Sequence, residues 1–331
     1  MDGRREFRMV KNLKIFIAFL RLIRLPNLVI IAITQLFIRW FVLKPLLGVA
    51  GFNLQISPDQ FFLLIMSTVL IAAGGYIIND YFDRKADLIN RPGRVIVGRL
   101  IKRRYAMAFH SIFTFLGIIL GSFLAYRIGQ LRLSIFFVFA AGALWFYSTV
   151  YKRQLLVGNI IVAILVAIVP LMVLLFELPL LLHKYELQVL AGATRFTYLV
   201  AWVGSYSGFA FLLTIIREIV KDIEDYEGDA VFGRKTVPIT WGVTAAKWLV
   251  AVLVMLTVFP ILFILAFYLS DKISFVYIVF FIVLPLLLLA FGVLWATTKK
   301  QYHTLSQISK LIMLSGLFYC PLVNLIVKMP V

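Results

Sequence analysis

The chain has 331 residues, 63% hydrophobic and 15% charged, with a mean hydropathy of +0.99 and a formal net charge of +18. Soluble domains are nearer half apolar and a quarter charged, which excludes a water-soluble enzyme. The one cysteine, Cys320, excludes an intrachain disulfide and a thiolate metal cluster.

Apolar runs of about twenty residues, enough to cross roughly 30 Å of hydrocarbon as a helix, predict nine spans. In chain order they fall near 25–42, 61–78, 105–126, 131–150, 155–182, 196–216, 248–269, 274–295 and 308–327. They lack the dyad alternation of a β-barrel. The expected fold class is therefore all-α: a polytopic membrane protein with nine transmembrane helices around a central cavity open to the cytoplasmic side. The fifth run needs tilt or a kink at Pro170.

Residues 1–331 read as a single membrane-embedded domain, with 1–20 an interfacial segment and 79–104 and 217–247 polar loops. The basic stretch Arg4–Lys14 is not followed by a short apolar core and a small-residue cleavage site. It reads as a cytoplasmic interfacial helix, not a signal peptide. The N-terminus and the loops after spans two, four, six and eight hold 25 of the 33 Lys and Arg residues. The positive-inside rule then puts the N-terminus in the cytoplasm and the C-terminus on the opposite side of the cell membrane. The +18 charge thus reflects topology and attraction to anionic membrane lipids, with no other support for nucleic acid.

Nine of the fifteen acidic residues lie in two short segments directly after spans two and six. The first runs from Asn79 and Asp80 through Asp83 to Asp87. The second runs from Arg217 and Glu218 through Lys221, Asp222, Glu224 and Asp225 to Asp229. Asp80, Asp83 and Asp87 are spaced three and then four apart, as are Asp222, Asp225 and Asp229. On a helix this spacing lines three carboxylates along one face. Each cluster is expected to extend its helix toward the cytoplasmic mouth of the bundle. Crowded carboxylates repel, and Mg²⁺ relieves that repulsion, taking one or two carboxylates plus substrate phosphate oxygens. Two such clusters suit a pair of Mg²⁺ ions bridged by a diphosphate. Arg24, Arg91, Arg94, Lys152, Arg217 and Lys221 supply the cationic wall that a metal–diphosphate headgroup also needs. A repeated acidic segment on one side also suggests two related helical bundles.

These residues resemble the UbiA superfamily of intramembrane prenyltransferases. The likeness covers almost the whole chain: nine spans, N-D-x-x-D-x-x-x-D after span two, D-x-x-D-x-x-x-D after span six, the Tyr147–Lys152 segment, and Arg24-Leu25-Pro26-Asn27 opening span one. The resemblance implies Mg²⁺-dependent transfer of a prenyl group from a polyprenyl diphosphate donor to a lipid or aromatic acceptor. It implies one metal on Asn79, Asp83 and Asp87 with Asp80 beside them, and another on Asp222, Asp225 and Asp229. It also implies diphosphate contacts from Lys152, Arg24 and Arg94, with Tyr147 facing the allylic carbon. Asn27, Arg91, Arg217 and Lys221 complete the expected donor-binding set, and Asp83, Asp225, Lys152 and Tyr147 the expected catalytic one. Val95 departs from the proline many members carry there.

The second motif and the Gly233–Pro238 tail look most like the branch that prenylates geranylgeranylglyceryl phosphate, with geranylgeranyl diphosphate as donor. Arg91, Arg94, Arg99, Lys102, Arg103 and Arg104 supply a surplus of cations for a phosphorylated acceptor, a surplus that positive-inside bias also accounts for. An aromatic acceptor of quinone or haem synthesis is the alternative reading. Transport of a divalent cation or phosphometabolite is disfavoured by spans nearly free of ionisable residues at mid-depth. Among the remaining polar residues, His110 is expected to make an interhelical hydrogen bond, and His303 to be solvated in a loop. Glu177 is expected to pair with Lys184 or reach the headgroups. Gly74-Gly75 is expected to allow close packing or to break the helix.

Overall fold

The computed structural model describes residues 13–90, 93, 95–190, 192, 196–269 and 271–328, with the Asn90 side chain excepted. The expected sites Arg91 and Arg94 and most of the basic N-terminal stretch lie outside the described residues.

Nine helices among the described residues are long and apolar enough to cross a membrane. They are span one (Leu25–Val49), two (Pro58–Ile89), three (Arg103–Arg127), four (Leu131–Thr149), five (Val157–Lys184), six (Thr197–Glu224), seven (Val243–Phe267), eight (Lys272–Trp295) and nine (Lys299–Ile326). Residues 13–22 form a further helix ahead of span one. Each expected span is present. Several outrun their apolar cores, because local caps rather than hydrocarbon thickness set a helix end. Span nine starts nine residues before its apolar run, at a capping box in which Thr298 and Gln301 satisfy each other's backbone N–H groups. Span eight starts where Asp271 accepts from Ser274 N at 2.7 Å.

Two spans contain a wide π-type turn, at Ile38–Leu43 and Val279–Val283, and in each a proline follows within two residues (Pro45 and Pro285). A proline removes one i→i−4 donor and crowds the preceding turn, which the wider turn accommodates. Span five continues as one helix through Pro170 and Pro179.

The described chain divides into two compact units: residues up to Ile33 with Pro58–Tyr151, and Thr34–Ser57 with residues from Lys152 onward. In the first unit, a core of Leu22, Leu28, Ala73, Ile77, Val97, Ile101 and Ala106 joins the leading helix, the start of span one, spans two and three, and the 95–101 turn. Gly74 and Gly75 do not break span two. A methyl group on Gly75 would run into Leu144, and one on Gly117 would lie 2.9 Å from Ser67 O. These glycines let the backbones of spans two, three and four approach. His110 makes the expected interhelical bond, its Nδ1–H donating to Gly74 O at 3.0 Å. The ring also stacks on Trp145.

The second unit has its own apolar core, with Ile216, Val220, Val250, Val254, Leu286 and Val293 buried between spans six, seven and eight. It also holds a correction. Glu177 pairs neither with Lys184 nor with headgroups: it is fully buried, accepts from Gln55 N, and accepts from Ile56 N at 3.3 Å. Arg39, 2% exposed, lies 3.9 Å away through Nη1 and donates through Nη2 to Ile56 O. A charge pair inside the membrane region is costly unless hydrogen bonds satisfy it, and here the 55–56 backbone does so.

Candidate functional site

The first acidic segment continues span two without a break, as expected, because Ala72 to Asp87 contains no proline and the backbone ladder continues past the apolar stretch. Asn79, Asp80, Asp83 and Asp87 are all half-buried on this one helix. Arg24 donates to Asp80 Oδ1 at 2.9 Å, and its guanidinium lies 5.0 Å from the Tyr76 ring centroid. Burial alone would lower the Arg24 pKa. The Asp80 carboxylate, with Tyr76 and Tyr147 close enough to act on the same charge, raises it instead. The first unit therefore brings together Arg24, Tyr76, Asp80 and Tyr147. Arg24 occupies the left-handed region at φ +51°, where the chain turns from the leading helix into span one, and Asn27 N donates back to Arg24 O at 2.8 Å.

Asn79 supplies the fit test for a metal. Its Oδ1 is buried with no hydrogen-bond donor among the described residues. A buried acceptor left unpaired is costly, and a hard oxygen in that state beside carboxylates suits a hard cation. Among the described residues, no three His, Cys, Asp or Glu side chains group closely enough to hold a metal ion by themselves. That fits an ion that draws the rest of its shell from water and substrate phosphate.

The second segment differs from the expected continuous helix. Span six ends at Glu224, Asp225 sits at φ −92°, ψ 8°, and a short helix, Tyr226–Val231, begins directly after it. The three-and-four spacing survives because Asp225 N and Asp229 N still bond to Lys221 O and Asp225 O. The carboxylates, however, have different partners. Asp222 accepts from Asn159 Nδ2 at 2.8 Å, and Asp229, 2% exposed, is paired with Arg234 at 3.0 Å. Glu224, 6% exposed, meets His303 Nδ1 at 2.9 Å, so His303 is an anchored residue of span nine rather than a solvated loop histidine. Arg217 pairs with its neighbour Glu218, and Lys221 is half-buried on the last turn of span six. Lys152 sits, half-buried, in a single 3₁₀ turn, Tyr151–Arg153, which Lys235 N ties down through Arg153 O at 3.0 Å.

Asn159 and His303 escape the sequence reading. The signal for Asn159 is a lone amide at the start of an otherwise apolar span; for His303 no local signal exists, since its partner is set by packing.

A family model described as the UbiA prenyltransferase family matches residues 45–312. A digeranylgeranylglyceryl phosphate synthase of Thermococcus sibiricus is 33% identical over 209 residues, 61% of this chain and 65% of that protein. This chain thus matches just under two thirds of that relative's length. The synthase of the same name from Sulfurisphaera tokodaii is 28% identical over 264 residues, 78% of this chain and 86% of that one. Among solved structures, one of digeranylgeranylglyceryl phosphate synthase aligns at TM-score 0.64 and 22% identity, over 93% of this chain and 99% of the other. A UbiA homolog from Archaeoglobus fulgidus bound to GPP and Mg²⁺ aligns at TM-score 0.56 and 18% identity, over 92% and 99%. At those identities the structural likeness speaks to the fold.

Proposed function

The chain belongs to the UbiA prenyltransferase family, and we propose that it is a membrane-bound prenyltransferase. It would transfer the prenyl group of geranylgeranyl diphosphate to geranylgeranylglyceryl phosphate and release diphosphate. The single observation that carries this reading is Asn79 Oδ1, buried without a donor among the described residues at the head of an N-D-x-x-D-x-x-x-D segment on one unbroken helix. The names of the matched synthases support the lipid acceptor.

Mg²⁺ bound here would neutralise the diphosphate and make it a better leaving group. Asn79, Asp83 and Asp87 would hold it on the first segment, with Asp222 and Asp225 serving the second. Asp80 and Asp229 orient Arg24 and Arg234 through ion pairs. Arg24, Lys152, Arg217 and Lys221 would contact phosphate oxygens, each able to donate several N–H groups to an anion. Ionisation of the donor leaves an allylic cation that water would quench, so the apolar spans keep the reacting carbon dry. Tyr147 presents an aromatic face to that cation.

The N-terminus would face the cytoplasm, as the Lys and Arg distribution argues. Labelling single cysteines in loops on either side with an impermeant thiol reagent checks this.

Purified protein given labelled geranylgeranyl diphosphate should form a digeranylgeranyl ether lipid only with Mg²⁺ and the phosphorylated acceptor. Asp83→Ala and Asp225→Ala should each abolish turnover at unchanged thermal stability. Wild-type turnover in EDTA, or full turnover in both variants, refutes the assignment; preference for an aromatic acceptor overturns the acceptor alone.

A further inference from the structure

We propose that Arg84 and Arg103 form a phosphate-monoester subsite beside the first acidic segment, and that it reads the phosphate of the acceptor lipid. The proposal rests on the prenyl-transfer reading above and adds how the acceptor is selected.

Arg84 lies on span two four residues after Asp80 and three before Asp87, so it flanks the carboxylate row on its Tyr81 side. It lies three residues after Tyr81, which makes the two surface neighbours. The chain then returns through a turn closed by Gly98 N donating to Ile101 O at 2.7 Å. Gly98 has φ +83°, and a methyl group built on it would lie 3.0 Å from Arg84 Nε and 3.1 Å from Cζ. The Arg84 guanidinium therefore rests on bare backbone that only glycine can present. Its Nε is buried and has no hydrogen-bond partner among the described residues.

The same turn leads into span three, whose first residue is Arg103. The Arg103 guanidinium lies 4.6 Å from the Tyr81 ring centroid and donates to Tyr81 Oη at 2.9 Å. An aromatic face, rather than a carboxylate, fixes it, so its positive charge is positioned but not cancelled. Tyr81 and the 98–101 turn thus bring two oriented guanidinium groups to the same end of spans two and three. Planar forks of this kind match the oxygens of a phosphate monoester. Arg104, next in sequence and assigned to the acceptor by its charge alone, instead turns onto the Tyr105 ring at 4.9 Å. It carries the same charge without the Tyr81 anchor and serves as the internal control.

The full-length protein in detergent, with neither donor nor Mg²⁺, is titrated with geranylgeranylglyceryl phosphate and with phosphate-free geranylgeranylglycerol, following tryptophan fluorescence. Wild type should favour the phosphorylated lipid by about tenfold or more. Arg84→Gln and Arg103→Gln should each erase that preference, whereas Arg104→Gln should keep it. Should a Gln variant not fold, Arg84→Lys retains charge without the fork and should lose part of the preference. Retained preference in both Gln variants overturns the proposal. So does weakened binding of phosphatidic acid alone, which would assign the arginines to a membrane headgroup, or weakened binding of geranylgeranyl diphosphate alone, which would assign them to the donor. The measurement needs no turnover, so wild type that binds but fails to transfer would sink the prenyl-transfer reading while leaving the subsite standing.

Discussion

Arg24 reaches Asp80 across 2.9 Å from a backbone held at φ +51°, so the residue that tethers the first acidic segment is itself strained. A left-handed conformation costs a side-chain-bearing residue roughly 1–2 kcal/mol, whereas glycine adopts it freely. The ion pair, 39% exposed at Arg24, contributes at most about 1 kcal/mol after solvent screening. The strain and the ion pair are similar in size, so the residue earns its place through function more than through stability.

Arg24→Gly should therefore leave the thermal midpoint nearly unchanged, losing the pair but shedding the strain, while Arg24→Ala should lower it. Both should raise the KM for donor diphosphate. Differential scanning fluorimetry in detergent, paired with donor titrations, checks this; an Arg24→Gly midpoint no higher than that of Arg24→Ala would show that the turn is not strained.

Asn79 predicts a graded metal response. Asn79→Ala removes the buried oxygen and should raise the Mg²⁺ concentration for half-maximal turnover by about tenfold or more, by analogy with the loss of metal-supporting groups. Asn79→Asp keeps an oxygen in place and should retain part of the affinity. Mn²⁺ binding followed by electron paramagnetic resonance reports the same ranking without turnover, and equal affinity in all three proteins would remove Asn79 from the metal shell.

Arg39 and Glu177 predict a stability effect independent of chemistry. With side chains 3% and 0% exposed, removing either alone leaves a buried charge uncompensated, at a cost of about 3–5 kcal/mol. Arg39→Met combined with Glu177→Leu should recover much of that loss. Unfolding of the single and double variants in mixed micelles measures the coupling; strictly additive losses would show that the pair does not act as a unit.

Asp229 and Asp225 should separate although both belong to the repeated spacing. Asp229 is committed to Arg234, so Asp229→Ala and Arg234→Ala should destabilise the protein alike and leave the Mg²⁺ requirement near wild type. Asp225→Ala should abolish turnover at normal stability. A raised Mg²⁺ requirement in Asp229→Ala, not shared by Arg234→Ala, would return Asp229 to the metal.

What could be read from the residues follows from how they encode it. A twenty-residue apolar run specifies a membrane-crossing helix by itself, since backbone groups in hydrocarbon must be satisfied within the segment. All nine spans therefore appeared close to their expected places, and the first acidic segment continued its helix as its spacing required. The break at Asp225 was hidden: the three-and-four spacing is the same whether a helix runs on or restarts, and the backbone bonds on either side keep it.

Sequence alone settled the all-α architecture, the number of crossings and the places where carboxylates gather, because each depends on neighbours along the chain. Which partner holds each carboxylate was settled only by folding. Asp80 with Arg24, Asp222 with Asn159, Asp229 with Arg234 and Glu177 with Arg39 are pairs made by packing, mostly between separate helices. No local pattern encodes such pairings: a charged side chain costs free energy to bury, and the partner that offsets it is whichever group the neighbouring helix brings within about 3–4 Å.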